Sequence, residues 1–131
     1  MDIAALLITA LLFGGMVLYA FGFAAFVFSA LPAETAGPLI RKAFPHFYLF
    51  VLACATLAMV LLALNDLLGA GIMAGIVLST IYARQILMPA INAATDAGDT
   101  RRFKWLHGLS VAITLAHIGG AAVVLVRLAG A

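Results

Sequence analysis

Residues 44–66 read FPHFYLFVLACATLAMVLLALND. Positions 44–64 are mainly apolar and carry no Lys, Arg, Asp or Glu. The run stops at the polar pair Asn65-Asp66, and apolar sequence resumes at once with Leu67. A helix crossing a bilayer needs about 20 mainly apolar residues rising about 1.5 Å each. The stretch therefore predicts one complete span, a tight turn, and a second span running back beside the first.

Working outward from that turn, three more segments qualify as spans. The third extends over about 67–94, with Pro89 near its end. The first covers about 3–31 and stops at Pro32. The fourth covers about 103–128. Residues 1–131 thus read as a single domain, an all-α integral membrane four-helix bundle of antiparallel spans. Composition agrees: 66% of residues are hydrophobic, 9% are charged, and the mean hydropathy is +1.23. A soluble domain is nearer about half apolar and about a quarter charged. A chain this poor in charge cannot cover its surface with polar groups, so its main solvent is lipid. The N-terminus lacks a basic region ahead of its apolar run, and that run is about twice the usual signal length. It reads as a retained span.

The connections are short except for residues 32–45, which hold three of the four prolines. Their middle, TAGPLIRKAF, predicts a short interfacial helix with Arg41 and Lys42 at headgroup level. TDAGDT, residues 95–100, predicts a polar loop in which Asp99 or Thr100 caps the fourth helix. Arg41, Lys42, Arg101, Arg102 and Lys104 flank the first and third loops, and only Arg127 lies at the opposite end. This bias predicts both termini outside and loops 32–43 and 95–102 in the cytoplasm. The expected setting is a bacterial inner membrane. The basic residues are few and show no aromatic-interleaved surface, which argues against a nucleic-acid partner.

Ionisable groups inside a bilayer are costly and need a partner or a task. Arg84, His107 and His46 fall in the basic-loop half of their spans, with Arg84 deepest. Tyr82, Gln85 and Asn92 share that half of the third span. Ser110 and Thr114 lie one and two turns deeper than His107, and His117 lies near mid-span. His107 and His117 are separated by about 15 Å along the helix and about 80° around it, so they cannot share one metal ion. The expected site is a polar seam of Arg84, His107, Ser110, Tyr82 and Gln85. Arg84 either locks helices together, or snorkels towards the headgroups with carbonyls or Asp96 as partners, or anchors an anion. His107, His46 and His117 are candidate ligands for a metal ion or haem b. Each also has a plain reading, as an interfacial anchor or as a side chain satisfied by a neighbouring helix.

Pro32, Pro45 and Pro89 read as structural breaks. Gly71 and Gly75 form a GxxxG pair suited to close helix approach, within the chain or in a homo-oligomer. Gly108 is also read as structural. The lone Cys54 excludes an internal disulfide and a CxxC site. Met1, Met16, Met59, Met73 and Met88 are scattered and read as filler. There is no HExxH, GxSxG or P-loop, and the five acidic residues all lie at ends or loops. Catalysis is not the expected task.

Three stretches carry a family resemblance: FSALPAETAGPLIRKAFPHFY (28–48), YARQILMPAINAATD (82–96) and FKWLHGLSVAITL (103–115). Together they resemble the transmembrane protein 205 family and its bacterial relatives, membrane domains of unknown function. The resemblance implies a four-helix membrane domain and singles out Leu31-Pro32, Phe44-Pro45, Tyr48, Arg84, Pro89, His107, Gly108 and Ser110. Thr114 departs from it, standing where relatives carry asparagine. The size is also similar to small haem-binding membrane proteins of the copper-resistance D type, but the first span here lacks a histidine. The leading expectation is a binding or permeation module for a small solute or metal species. A haem-binding redox protein and a structural or accessory subunit without ligand are the alternatives.

Overall fold

The computed structural model describes residues 2–130, so Met1 lies outside the described residues. It contains four long helices: α1 (Ile3–Ala30), α2 (Ala33–Leu62), α3 (Leu67–Asp96) and α4 (Thr100–Leu128). All four are long and apolar enough to cross a membrane. α1 packs on α2 and α4, α2 packs on α3, and α3 packs on α4. The result is an antiparallel ring of sequential neighbours. At about 1.5 Å per residue the helices are about 43 Å long, roughly 13 Å more than the hydrocarbon layer.

Each helix turns one stripe inward. On α1 the stripe is Ala5, Thr9, Leu12 and Met16, on α3 Met73, Ile76, Thr80, Ala83 and Leu87, and on α4 Thr114, His117, Ala121 and Val124. Steps of three and four residues keep these side chains on one side of a helix, the seam expected of a left-handed bundle. Close approaches occur at Gly15 and Gly120: a Cβ added there would meet the Phe50 ring at 2.5 Å and Ile72 Cγ2 at 3.1 Å. Gly71, Gly75 and Gly108 face open space, and an added Cβ would meet nothing within 4 Å. The GxxxG pair therefore makes no close approach within this chain.

The clearest departure from expectation is residues 33–43. The sequence predicts a connection over 32–45 with a separate interfacial helix in its middle, yet from Ala33 onward the chain is one unbroken α2. Pro38 and Pro45 lie inside this helix. A proline removes one N–H and crowds the carbonyl four residues back, here Glu34 and Arg41. Neither loss ends the helix, because tertiary packing holds it on both sides of Pro45. Pro32 does mark a break: Leu31 is extended at φ −124°, ψ 150°, the conformation a following proline favours.

Two π-helical stretches, Leu18–Phe23 in α1 and Ala83–Leu87 in α3, flank the Pro45 region. The Tyr19 hydroxyl donates to the Ala43 carbonyl at 2.8 Å, and Arg84 Nε donates to the Pro45 carbonyl at 3.4 Å. The second stretch ends two residues before Pro89. A widened turn relieves the clash that a proline ring makes with a regular preceding turn. Tyr19 also stacks on Phe47 at 5.2 Å, inside a cluster with Phe23, Phe44 and Tyr48.

Caps close the turns. Asp2 accepts from Ala5 N, Asp66 from Gly69 N and Asp99 from Arg102 N. Asp99 is thus the cap of α4, one of the two residues expected there. Gly98, at φ +69°, makes the left-handed turn between α3 and α4. At the opposite end Arg127 grips both Asp66 oxygens, at 2.8 and 3.0 Å, and ties the C-terminus to the α2–α3 turn.

That contact carries a pH prediction. The Arg127 guanidinium, followed by the Gly69 amide, lowers the Asp66 pKa from 3.8 to about 2. A depressed carboxyl pKa gives stability that is complete above the unfolded value and lost as pH falls through the folded one. The stability difference between wild type and Asp66→Asn is therefore expected to be flat above about pH 4 and to shrink between pH 3.8 and 2. Thermal melts in detergent check this. A difference unchanged down to pH 2 would show that the carboxylate charge is not what stabilises this end.

Candidate functional site

The inward stripe of α4 extends beyond its buried part. His107, Ser110, Thr114, His117, Ala121 and Val124 follow one another at steps of three and four. The first four are polar and the last two apolar. The stripe itself is therefore polar towards the basic loops and apolar towards the termini.

Where the polar half begins, the bundle opens into a cavity of about 680 Å³ between the four helices. Its polar lining includes His107, Ser110 and Tyr48, of which Tyr48 is buried, Ser110 half-buried and His107 exposed. The Tyr48 and Ser110 hydroxyls lie 3.4 Å apart and link α2 to α4. α3 supplies Met88, Ile91, Asn92, Thr95 and Asp96 to one wall. Phe28, Phe44 and Phe103 supply aromatic surface, and Glu34 and Arg41 stand at the start of α2. Arg41 and Asp96 form a two-pronged ion pair across the cavity mouth, at 2.7 and 3.0 Å. A planar guanidinium matches a carboxylate in this way, so each neutralises the other.

Deeper along the stripe, His117 Nε2 lies 2.6 Å from Ser79 Oγ on α3. The same hydroxyl lies 2.7 Å from the Gly75 carbonyl, to which it can donate. The imidazole is thus satisfied by a neighbouring helix. Beyond it Met16, Leu62, Met73, Ala121 and Val124 fill the interior, each 2% exposed or less. Two fully buried hydroxyls, Thr9 and Thr80, have no hydrogen-bond partner among the described residues.

The structure brings together part of the expected seam. His107 and Ser110 share the cavity, whereas Arg84, Tyr82 and Gln85 do not line it. In the π-helical stretch it is Ala83 and Leu87 that turn inward, and Tyr82 and Gln85 are exposed. Arg84 is half-buried between α3 and α2, donating to the Pro45 carbonyl and, at 2.8 Å, to Gln85 Oε1. Of its expected partners the carbonyl is met, while Asp96 belongs to Arg41. His46 is exposed on α2 outside the cavity. The three histidines therefore stand at three separate places. Among the described residues no group of three or more His, Cys, Asp or Glu is arranged to hold a metal ion. Cys54 is a buried free thiol in the core.

Sequence reasoning gave no part in this cavity to Glu34, Thr95 or Phe103, and it missed Ser79. Glu34 was not legible because the prolines around it predict a loop. The same three-and-four spacing that sets Ser110 and Thr114 one and two turns from His107 extends to His117, and that was the signal that could have added His117 to the stripe.

The chain belongs to the family described as a domain of unknown function, DUF4149, which matches residues 7–100. The match takes in most of α1, all of α2 and α3, and ends at the start of α4. His107, Ser110 and His117 lie beyond it. No curated protein and no solved structure matches the chain.

Proposed function

We propose that this member of the DUF4149 family is a membrane binding module that holds a small solute in the cavity at the basic end of the bundle. The observation that carries the reading is a cavity of about 680 Å³ whose mostly apolar lining holds three polar side chains, His107, Ser110 and Tyr48. Small-molecule sites are usually concave, mostly apolar, about 300–1,000 Å³ in volume, and provided with a few convergent polar groups. The apolar packing beyond His117 favours holding over free passage; permeation requires the terminal half of the bundle to open. The Lys/Arg bias supports placing the cavity at the cytoplasmic face with both termini outside. The likeness to the transmembrane protein 205 family supports giving Tyr48, His107 and Ser110 a shared task.

Native mass spectrometry of protein released from its membranes tests the reading. Wild type is expected to carry a small-molecule adduct that Ser110→Phe, which puts a ring into the cavity lining, loses while melting at a similar temperature. Equal adducts on both proteins would place the ligand elsewhere. A bare wild-type protein would favour a structural or accessory subunit.

A further inference from the structure

We infer that the cavity selects an organic monocation with an aromatic or otherwise bulky apolar body. The inference rests on the binding-module reading and adds the chemical class of the ligand.

The charge on the cavity wall comes first. Three acidic or basic residues line it: Glu34, Arg41 and Asp96. Arg41 and Asp96 cancel, because both carboxylate oxygens are held by the guanidinium. Glu34 has no ion pair among the described residues, so it leaves the wall one negative charge in excess. An anionic guest would find no free Lys or Arg on this wall. Lys42, Arg101, Arg102 and Lys104 are exposed at the same end, but none of them lines the cavity. Their field is screened over about 8 Å at physiological salt.

The wall material is the second observation, independent of the first. Phe28, Phe44, Tyr48 and Phe103 come from three different helices and meet around the cavity. The faces of aromatic rings are negative, and they attract a cation most strongly when its water has been removed. Phe44 and Tyr48 stand at 62° to each other, 6.2 Å apart, so their faces point in different directions. A small hydrated metal ion would gain little from such walls, since rings do not replace its water ligands. A large, weakly hydrated organic cation loses little hydration and covers the apolar surface. One carboxylate at the mouth matches one positive charge. A cavity among rings, with a carboxylate where the helices emerge towards the headgroups, suits a guest that itself partitions to the headgroup boundary.

The test uses guests of similar shape and different charge: tetraphenylphosphonium, tetraphenylborate and neutral triphenylphosphine oxide. Each is dialysed to equilibrium against lipid nanodiscs carrying the full chain and against empty nanodiscs, and the difference is taken as binding to protein. The expected result is saturable binding of tetraphenylphosphonium near one per chain, with no excess of tetraphenylborate over empty discs. Glu34→Gln and Phe103→Ala are each expected to weaken binding at least roughly fivefold, the effect of about 1 kcal/mol. Glu34 is exposed in the first turn of α2, so Glu34→Gln is expected to melt like wild type. Binding of the anion or the neutral guest as tightly as the cation, indifferent to Glu34→Gln, would overturn the cation assignment and leave the cavity reading standing. No binding of any guest, on a protein that still carries the Ser110-dependent adduct, would also overturn the assignment. If neither guest nor adduct is found, both readings fall together.

Discussion

Phe47→Ala is expected to destabilise the bundle by about 3 kcal/mol, measured by titrating SDS into protein held in mild detergent micelles. Phe47 is 2% exposed and is the largest fully buried side chain. It stacks on Tyr19 at 5.2 Å and stands against Phe44 and Tyr48 at 5.4 and 5.5 Å. In a soluble protein, part of the cost of such a deletion is the hydrophobic transfer term. Here the unfolded helices remain in an apolar solvent, so that term is small. What remains is the cavity and the lost ring contacts, each aromatic pair being worth about 0.5–1.5 kcal/mol. The cost therefore falls at the lower end of the range for buried aromatics. Phe47→Leu, which refills most of the space, is expected to cost about 1 kcal/mol. The deletion also removes the ring against which Tyr19 rests, and with it the support for the Tyr19 hydroxyl on the Ala43 carbonyl. A loss below about 1 kcal/mol for Phe47→Ala would mean that the aromatic cluster fills space without holding α1 to α2.

Gly15→Val is the second large effect, expected at about 2–3 kcal/mol by overpacking. Any Cβ at position 15 would stand 2.5 Å from the Cε1 and Cζ atoms of Phe50, closer than carbon atoms approach. α1 and α2 must then separate or the ring must swing. Phe50 is only half-buried, so its ring has somewhere to go, and Gly15→Ala is expected to cost less than Gly15→Val. Combining Gly15→Ala with Phe50→Leu, which removes the far edge of the ring, is expected to recover most of the loss. Gly75→Val provides the contrast: nothing lies within 4 Å of a Cβ there, so the same unfolding titration is expected to show almost no change. Equal losses at positions 15 and 75 would show that β-branching within the helix, and not contact with Phe50, sets the cost.

The two effects mark how far the chain could be read from its letters. The antiparallel spans followed from the uncharged run at 44–64 and the Asn65-Asp66 break, because lipid admits only segments that satisfy their own backbone. The cap at Asp99 was legible because a short acceptor side chain ahead of an apolar run serves the free N–H groups of a helix start. The continuation of α2 through residues 33–43 was not legible. Two prolines and two cations argue locally for a loop, and only packing against α1 and α3 shows that the helix persists. The same holds for Arg84. Its depth in the span was apparent, but its direction depends on the π-helical stretch Ala83–Leu87, which has no signature in hydropathy.

The sequence by itself determined the number of helices, their antiparallel order, the basic end and the presence of polar residues within the apolar runs. Each of these follows from the cost of placing charge or unpaired backbone in hydrocarbon, and that cost depends on residue type and spacing alone. Only the tertiary structure decided which polar residues meet. It placed His107 with Ser110 and Tyr48 at the cavity, gave His117 to Ser79, turned Arg84 towards Pro45, and left Glu34 without an ion pair among the described residues. The physical reason is that a side chain's partner is set by the rotation and register of two helices against each other. Those are chosen by steric fit at positions such as Gly15, Phe47 and Gly120, distant in the chain from the groups they bring together.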